Sequence, residues 1–230
     1  MSDPSVNPFI PVPLNPLGFN NQAVLPCGLT VESIHKAMVE FVGFLEFLNI
    51  QLQTRRLPRL ECLMMQANFS SLVGEFMVRS IPKYFPGIVR NRYHNGYPDM
   101  VPSRHYLNDA VQRGDVGIEV KASRYLRGWQ GHNAEDGWLM VFMFSLACGA
   151  DVPDEDTGDP IATSVAQAAG ATPSRPAPAQ PFQFERVAAA HLVNSDWTFS
   201  GRSATSRRTI TASVNESGRQ KMNANLVYQS

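Results

Sequence analysis

Val116-Gly117-Ile118-Glu119-Val120-Lys121-Ala122-Ser123 alternates cleanly from Ile118 onward. Side chains on a strand point to opposite faces with a period of two. Ile118, Val120 and Ala122 therefore share one face, and Glu119, Lys121 and Ser123 share the other. The stretch predicts a strand over about 116–123 with a carboxylate and an ammonium group side by side on one face.

The same pattern logic extends in both directions. A basic turn (Arg124, Arg127, Gly128) follows, and then Trp138 to Ala147 runs almost wholly apolar, which predicts a central strand buried on both faces. Before the opening strand, a loop rich in Pro, Tyr and Gly leads to Tyr97-Pro98-Asp99, at the start of a strand over about 98–102. Further upstream, Val31, Ile34, Met38, Phe41, Val42, Leu45, Leu48 and Leu52 recur at three- and four-residue spacing after Thr30, a residue suited to an N-cap. That is the signature of a long amphipathic helix. A second helical pattern runs from about Leu60 to Ile81, with a break expected near Asn68 and a stop before Pro82. Between the two helices stand Arg55, Arg56 and Arg59 around Pro58, read as a solvated helix end, with phosphate contact as the alternative.

The remaining segments are of a different character. Residues 1–28 hold six prolines and predict an extended arm. Residues 149–183 hold six prolines and five acids against one arginine, a balance of −4, and predict a flexible insertion between two sheet strands. A strand is expected at about 184–193, and alternation returns over Arg207 to Val214. The organisation is thus an arm (1–28), a helical region and core (29–148), an insertion (149–183) and a β-rich end (184–230). The fold class is α/β, with a mixed central sheet flanked by helices.

Composition sets bounds on function. At 230 residues and 43% apolar content, the chain is large enough for one substantial core. No apolar run is long enough to span a membrane, and the start lacks the features of a signal peptide, so the expectation is a cytoplasmic protein with no membrane partner. Cys27, Cys62 and Cys148 are odd in number and widely spaced, and are read as reduced thiols. No histidine or cysteine spacing suggests zinc. Net charge is zero, but the acidic insertion leaves +4 on the rest of the chain, and one-sided charge matters more to a phosphate backbone than the sum.

Hydrolysis of a phosphodiester requires a deprotonated water and stabilisation of charge on the phosphorus and the leaving oxygen. Hard divalent cations held by carboxylates meet both needs. Asp99 and Glu119 offer two carboxylates, and the Val120 carbonyl offers a third oxygen. Lys121 shares a strand face with Glu119 and can place its ammonium near the attacked phosphate. Twenty residues separate Asp99 from Glu119, ample for a hairpin that joins them. Glu75, on the preceding helix, could supply a further carboxylate. The plain alternatives are an exposed Glu119–Lys121 ion pair, Asp99 as a turn residue, and a helix salt bridge from Glu75 to Arg79.

Pro98-Asp99 followed by Glu119-Val120-Lys121, with a helical glutamate before them, resembles the PD-(D/E)XK nuclease superfamily. The resemblance covers about residues 70–147. It implies a restriction-endonuclease-like core, dependence on Mg²⁺ with Mn²⁺ as a substitute, and a catalytic set of Asp99, Glu119 and Lys121 with Glu75 behind them. Asp99, Glu119 and Val120 would be the metal ligands. Some RecB-like members carry a glutamine on a helix after the lysine; here Gln130 follows by only nine residues, beside glycine.

Contacts to DNA are expected from Arg124, Arg127, Gln130, His132 and Asn133 after the strand, and from Arg202, Arg207 and Arg208 near the C-terminus. Three functions follow in order. The first is a type II-like restriction endonuclease acting on double-stranded DNA as a homodimer. The second is a RecB-like or junction-resolving repair nuclease. The third is a non-catalytic DNA-binding protein on the same fold.

Overall fold

The computed structural model describes residues 7–131, 135–149, 178–200 and 211–230. Helix α1 spans Val31–Thr54, and the Thr30 side chain caps it by accepting from the Ser33 amide at 3.2 Å. Its buried stripe includes Ile34, Met38, Phe41 and Leu45. A short α2 (Leu60–Leu63) and a long α3 (Gln66–Tyr84) follow. The break therefore falls at Met64 and Met65 rather than near Asn68. Helix α3 also continues past Pro82, against expectation. A proline in the final turn gives up one amide bond, and the Phe85 amide still reaches the Ile81 carbonyl at 3.1 Å to close the helix.

Among the described residues, nine strands form two sheets. The main sheet has six strands in the order β1 (Ile88–Arg90), β2 (Met100–Pro102), β3 (Ile118–Ser123), β5 (Gly137–Ala147), β6 (Gln180–Leu192) and β9 (Leu226–Gln229). The β3–β5 pair is parallel and the other pairs are antiparallel, so the sheet is mixed and the class is α/β. The smaller sheet joins β4 (Gln130–Gly131), β8 (Thr211–Val214) and β7 (Trp197–Ser200). Helix α4 (Glu216–Ala224) packs with it. Strand β6 begins four residues earlier than the sequence suggests, because Gln183 and Gln180 continue the ladder with β5, opposite Ser145 and Ala147.

Three layers result. On one face of the main sheet, Val120, Met140, Phe142, Phe144, Phe182 and Phe184 pack under α1 and α3. On the other face, Leu139, Val141, Met143, Ala188 and Ala190 pack against Trp129, Trp197, Ala212 and Met222. Strand β5 lies between both layers, which is the physical reason for its unbroken apolar run. Burying these aromatic and aliphatic side chains contributes about 1.5–3 kcal/mol each against exposure.

The proline-rich arm takes its hydrogen bonds from the sheet. The Val12 amide donates to the Phe182 carbonyl at 2.8 Å, the Asn20 amide to Val227 at 3.0 Å, and the Asn15 amide to the Tyr228 hydroxyl at 3.1 Å. Gly18 passes so close to β9 that a Cβ there would lie 2.1 Å from the Gln229 carbonyl oxygen.

Two further expectations are corrected. Cys62 and Cys148 are not reduced thiols: they form a disulfide that joins α2 to the end of β5, with Cα atoms 5.6 Å apart. Spacing in sequence hid it, since 86 residues separate the pair and only the folded sheet brings the ends together. Cys27 remains free and exposed. Arg59 is not a solvated helix end but is 4% exposed. Its guanidinium donates to the carbonyls of Pro8, Gln180 and Ala147 at 2.8, 2.7 and 2.5 Å. It also lies 3.2 Å from Oε1 of buried Glu61, an ion pair without hydrogen-bond geometry. A buried charge needs such partners to offset desolvation. Among the described residues, no helix is long and apolar enough to cross a membrane.

Candidate active site: an acid pair and a lysine at a strand fork

Strands β2 and β3 share one register pair, Met100 with Ile118, and diverge beyond it. Asp99 stands at that fork. Its Oδ2 accepts the Val120 amide hydrogen at 2.8 Å, where a ladder partner would otherwise sit. The fork needs a close approach. Gly117 has φ +150, and a Cβ there would meet the Met100 carbonyl oxygen at 2.3 Å and the Pro98 ring at 2.4 Å. Glycine is the residue that fits.

The loop before Asp99 is organised by Asn91, which is 6% exposed. Its side-chain amide donates to the carbonyls of Pro98 and Val111 at 3.0 and 2.8 Å, and its oxygen accepts from the amides of Tyr93 and Val111. The Asn91 amide also bonds to the Asp99 carbonyl at 2.8 Å. The Tyr97–Pro98 peptide within this loop is cis.

Glu119 and Lys121 share the sheet face opposite α3, as their alternation predicts. Their partners across the parallel ladder, Leu139 and Val141, belong to the core on that face. The Lys121 ammonium donates to Oε1 of Glu119. The glutamate is 8% exposed overall, so this is a partly buried pair and not the solvated surface pair of the plain alternative. Asp99, Glu119 and Lys121 thus come together as the sequence suggests.

The electrostatics follow from that crowding. Burial, and then the charge of Glu119, push the Asp99 carboxyl up to about 7 against the opposing pull of the Val120 amide and Lys121. Burial pulls the Lys121 ammonium down, but Glu119, Asp99 and Glu135 outweigh it, and its pKa rises. Glu135 was missed by sequence reasoning. It precedes β5, its backbone carbonyl accepts the Trp197 indole N–H at 2.9 Å, and its carboxyl is raised by burial and by Asp99 while Lys121 and Arg113 oppose the shift. Burial, followed by Glu135 and Glu119, also raises the Tyr97 phenol. No local pattern marks Glu135, because the small sheet that anchors it pairs residues far apart in sequence.

A cleft of about 220 Å³ opens between α3 and β3, lined by Ser70, Ser71, Glu75, Asp99, Val120 and Lys121 among others. Glu75 is at its rim, with a half-exposed side chain 3.4 Å from Arg90 and 3.9 Å from Arg79. The helix salt bridge to Arg79 is therefore present, and a share in the cleft is present with it.

Among the described residues, no three His, Cys, Asp or Glu side chains are grouped to hold a metal ion. Two adjacent carboxylates and a nearby backbone carbonyl make a hard-oxygen set. It is too small for a zinc or calcium cage, but Mg²⁺ is commonly held by one or two carboxylates with water and phosphate oxygens completing its shell. The two crowded acids with one lysine beside them fit a divalent cation on charge as well.

The expected DNA contacts fall in different places. Arg124 follows β3 and donates to the Leu146 carbonyl at 3.0 Å. Arg127 is exposed on the loop beyond, and Gln130 is exposed on β4 opposite Ser213. His132, Asn133, Arg202, Arg207 and Arg208 lie outside the described residues.

The cluster at the fork defines a desolvated acid–acid–lysine site at a sheet cleft, chemistry suited to a cation and an anionic substrate. Comparison with protein-family models, curated proteins and solved structures gives no match to the chain.

Proposed function

We propose that the chain is a metal-dependent endonuclease that hydrolyses phosphodiester bonds of double-stranded DNA. The observation that carries this reading is the meeting of Asp99, Glu119 and Lys121 at the β2–β3 fork, with the Asp99 carboxyl raised to about 7 by burial and by its neighbour. Paired carboxylates shifted in this way are a functional-site signature with a physical cause. The order of elements adds support: α3, three successive antiparallel strands, then β5 parallel to the third, with the acid and the Glu-x-Lys strand at their fork.

In this reading Asp99 and Glu119 would hold Mg²⁺, with Mn²⁺ as a substitute, and the Val120 carbonyl would complete the protein ligands. The cation supplies positive charge for the attacking water and for the leaving oxygen. Asp99 is oriented by the Val120 amide. Lys121, held by Glu119, brings its ammonium toward the attacked phosphate, where it would stabilise the charge that develops on the non-bridging oxygens. Glu75 at the cleft rim would bind a water of the cation's outer shell.

The finer reading is a type II-like restriction enzyme that acts as a homodimer on a short duplex site. Incubation of the purified protein with Mg²⁺ and unmethylated plasmid tests it. Discrete fragments support restriction. A smear, or cutting confined to ends and branches, replaces it with a repair nuclease. No cutting by folded protein with Mg²⁺ or Mn²⁺ refutes the nuclease.

A further inference from the structure

We infer that a second groove, on the sheet face that carries Lys121, binds an unpaired nucleotide segment of the substrate strand. The inference rests on the nuclease reading and adds to it that the duplex substrate is locally unpaired beside the cleavage site. The groove encloses about 460 Å³ and is lined by Arg124, Leu126, Ser145, Glu185, Arg186 and Ser230 among others.

Register places this groove relative to the acid–lysine cluster. Lys121 pairs with Val141, which pairs with Ala188; two residues along, Ser123 pairs with Met143, then Arg186, then Gln229. Lys121 and Arg186 therefore share a face, two strands and two residues apart, which strand geometry converts to roughly 12 Å between Cα atoms. A single strand can put one phosphate at Lys121 and another, a few nucleotides away, at Arg186.

The chemistry of the groove suits phosphate. Among the described residues, Arg186 has no carboxylate within ion-pair distance. The neighbouring Glu185 spends one oxygen on the Ser145 hydroxyl at 2.5 Å and the other on the Ser230 hydroxyl at 3.2 Å. Arg124 is anchored by one Nη to the Leu146 carbonyl, which leaves its other N–H groups for a ligand.

Tyr125 supplies the argument for an unpaired strand. It stands between two lining residues with 62% of its surface exposed. Its backbone is pinned on both sides: its amide donates to the Ser123 hydroxyl, and its carbonyl accepts the Trp129 indole N–H, each at 3.0 Å. An exposed aromatic ring on a fixed loop, next in the chain to Arg124 of the groove, offers a stacking platform at the groove's edge. Base faces are open to stacking only where the duplex is unpaired, and a groove of this volume admits a nucleotide or two rather than a double helix.

The test is fluorescence anisotropy with a short labelled oligonucleotide, as a single strand and as a blunt duplex of the same sequence, with Ca²⁺ in place of Mg²⁺. Tyr125→Ala is expected to weaken single-strand binding roughly ten-fold. Arg186→Gln is expected to lower the salt slope by about 0.7, and Arg186→Lys to restore it. Duplex binding changes much less in each variant. Thermal unfolding of every variant checks that it folds. Unchanged single-strand affinity in both folded variants, or equal losses on duplex, overturns the groove assignment even if the wild type cuts DNA. The expected losses in a protein that never cuts DNA leave the groove standing and remove the nuclease reading.

Discussion

The Val120 amide donates to Oδ2 of Asp99 at 2.8 Å, so the acid at the end of one loop is locked to the middle of the Glu-x-Lys strand. This bond fixes the acid pair without a long β2–β3 ladder. It uses one Asp99 oxygen, and the same carboxyl also hydrogen-bonds to Glu119.

The acid pair makes stability depend on pH and on metal. The Asp99 carboxyl rises from 3.8 to about 7 on folding. A raised acid binds its proton more tightly in the folded chain, so its stabilising effect is complete below about pH 3.8 and is lost as pH rises through about 7. In the proposed nuclease a cation would replace the proton. Added Mg²⁺ should therefore raise the melting temperature at pH 8 and do little at pH 5. At a hundred-fold excess over Kd the gain is about 2.7 kcal/mol, or roughly 5–10 °C for a chain of this size. Asp99→Asn should raise the metal-free melting temperature at pH 8 and erase the Mg²⁺ response. Calorimetric scans with and without Mg²⁺ decide it.

Lys121→Ala should lower single-turnover cleavage by about 10²–10³-fold. Duplex affinity measured with Ca²⁺ should stay within a few-fold of wild type, because in the proposed mechanism the lysine would act on the charge that develops during reaction. Full cleavage by this variant would remove Lys121 from the catalytic set.

Asn91 gives a test of positioning at a distance from the chemistry. Asn91→Ala leaves buried groups at Pro98, Val111 and Tyr93 without their partners, each costing about 1–3 kcal/mol. Denaturant unfolding should show a marked loss of stability. Among molecules still folded, kcat should fall more than KM rises, because Asp99 shifts relative to Glu119.

Much of the cluster was legible because strand alternation is a local signal: the spacing of Glu119 and Lys121 alone places them on one face. The same holds for α1, where apolar spacing and the Thr30 cap mark the helix and its start. Other features depend on contacts far apart in sequence. The Cys62–Cys148 bond, the burial of Arg59 under carbonyls from three segments, and Glu135 anchored by Trp197 leave no periodic trace. Short edge strands were missed for a related reason: β1 and β9 span only three and four residues, too few to show a period.

The disulfide makes its own prediction. It closes a loop of 86 residues, and its removal by Cys62→Ser with Cys148→Ser should cost about 2–5 kcal/mol in denaturant unfolding. Peptide mapping without reductant should recover the Cys62 and Cys148 peptides as one linked species, with Cys27 free to alkylate. A stability unchanged in the double variant would contradict a structural role for the bond.

The central claim is that Asp99, Glu119 and Lys121 form one metal-dependent phosphodiesterase site. The most direct measurement is cleavage of unmethylated plasmid by wild type and by Asp99→Asn, side by side, with Mg²⁺ and with EDTA. The wild type is expected to cut with Mg²⁺ and not with EDTA, and the variant to lose at least about 10²-fold in rate. Absence of cutting by folded wild-type protein, or equal cutting by Asp99→Asn, would contradict it.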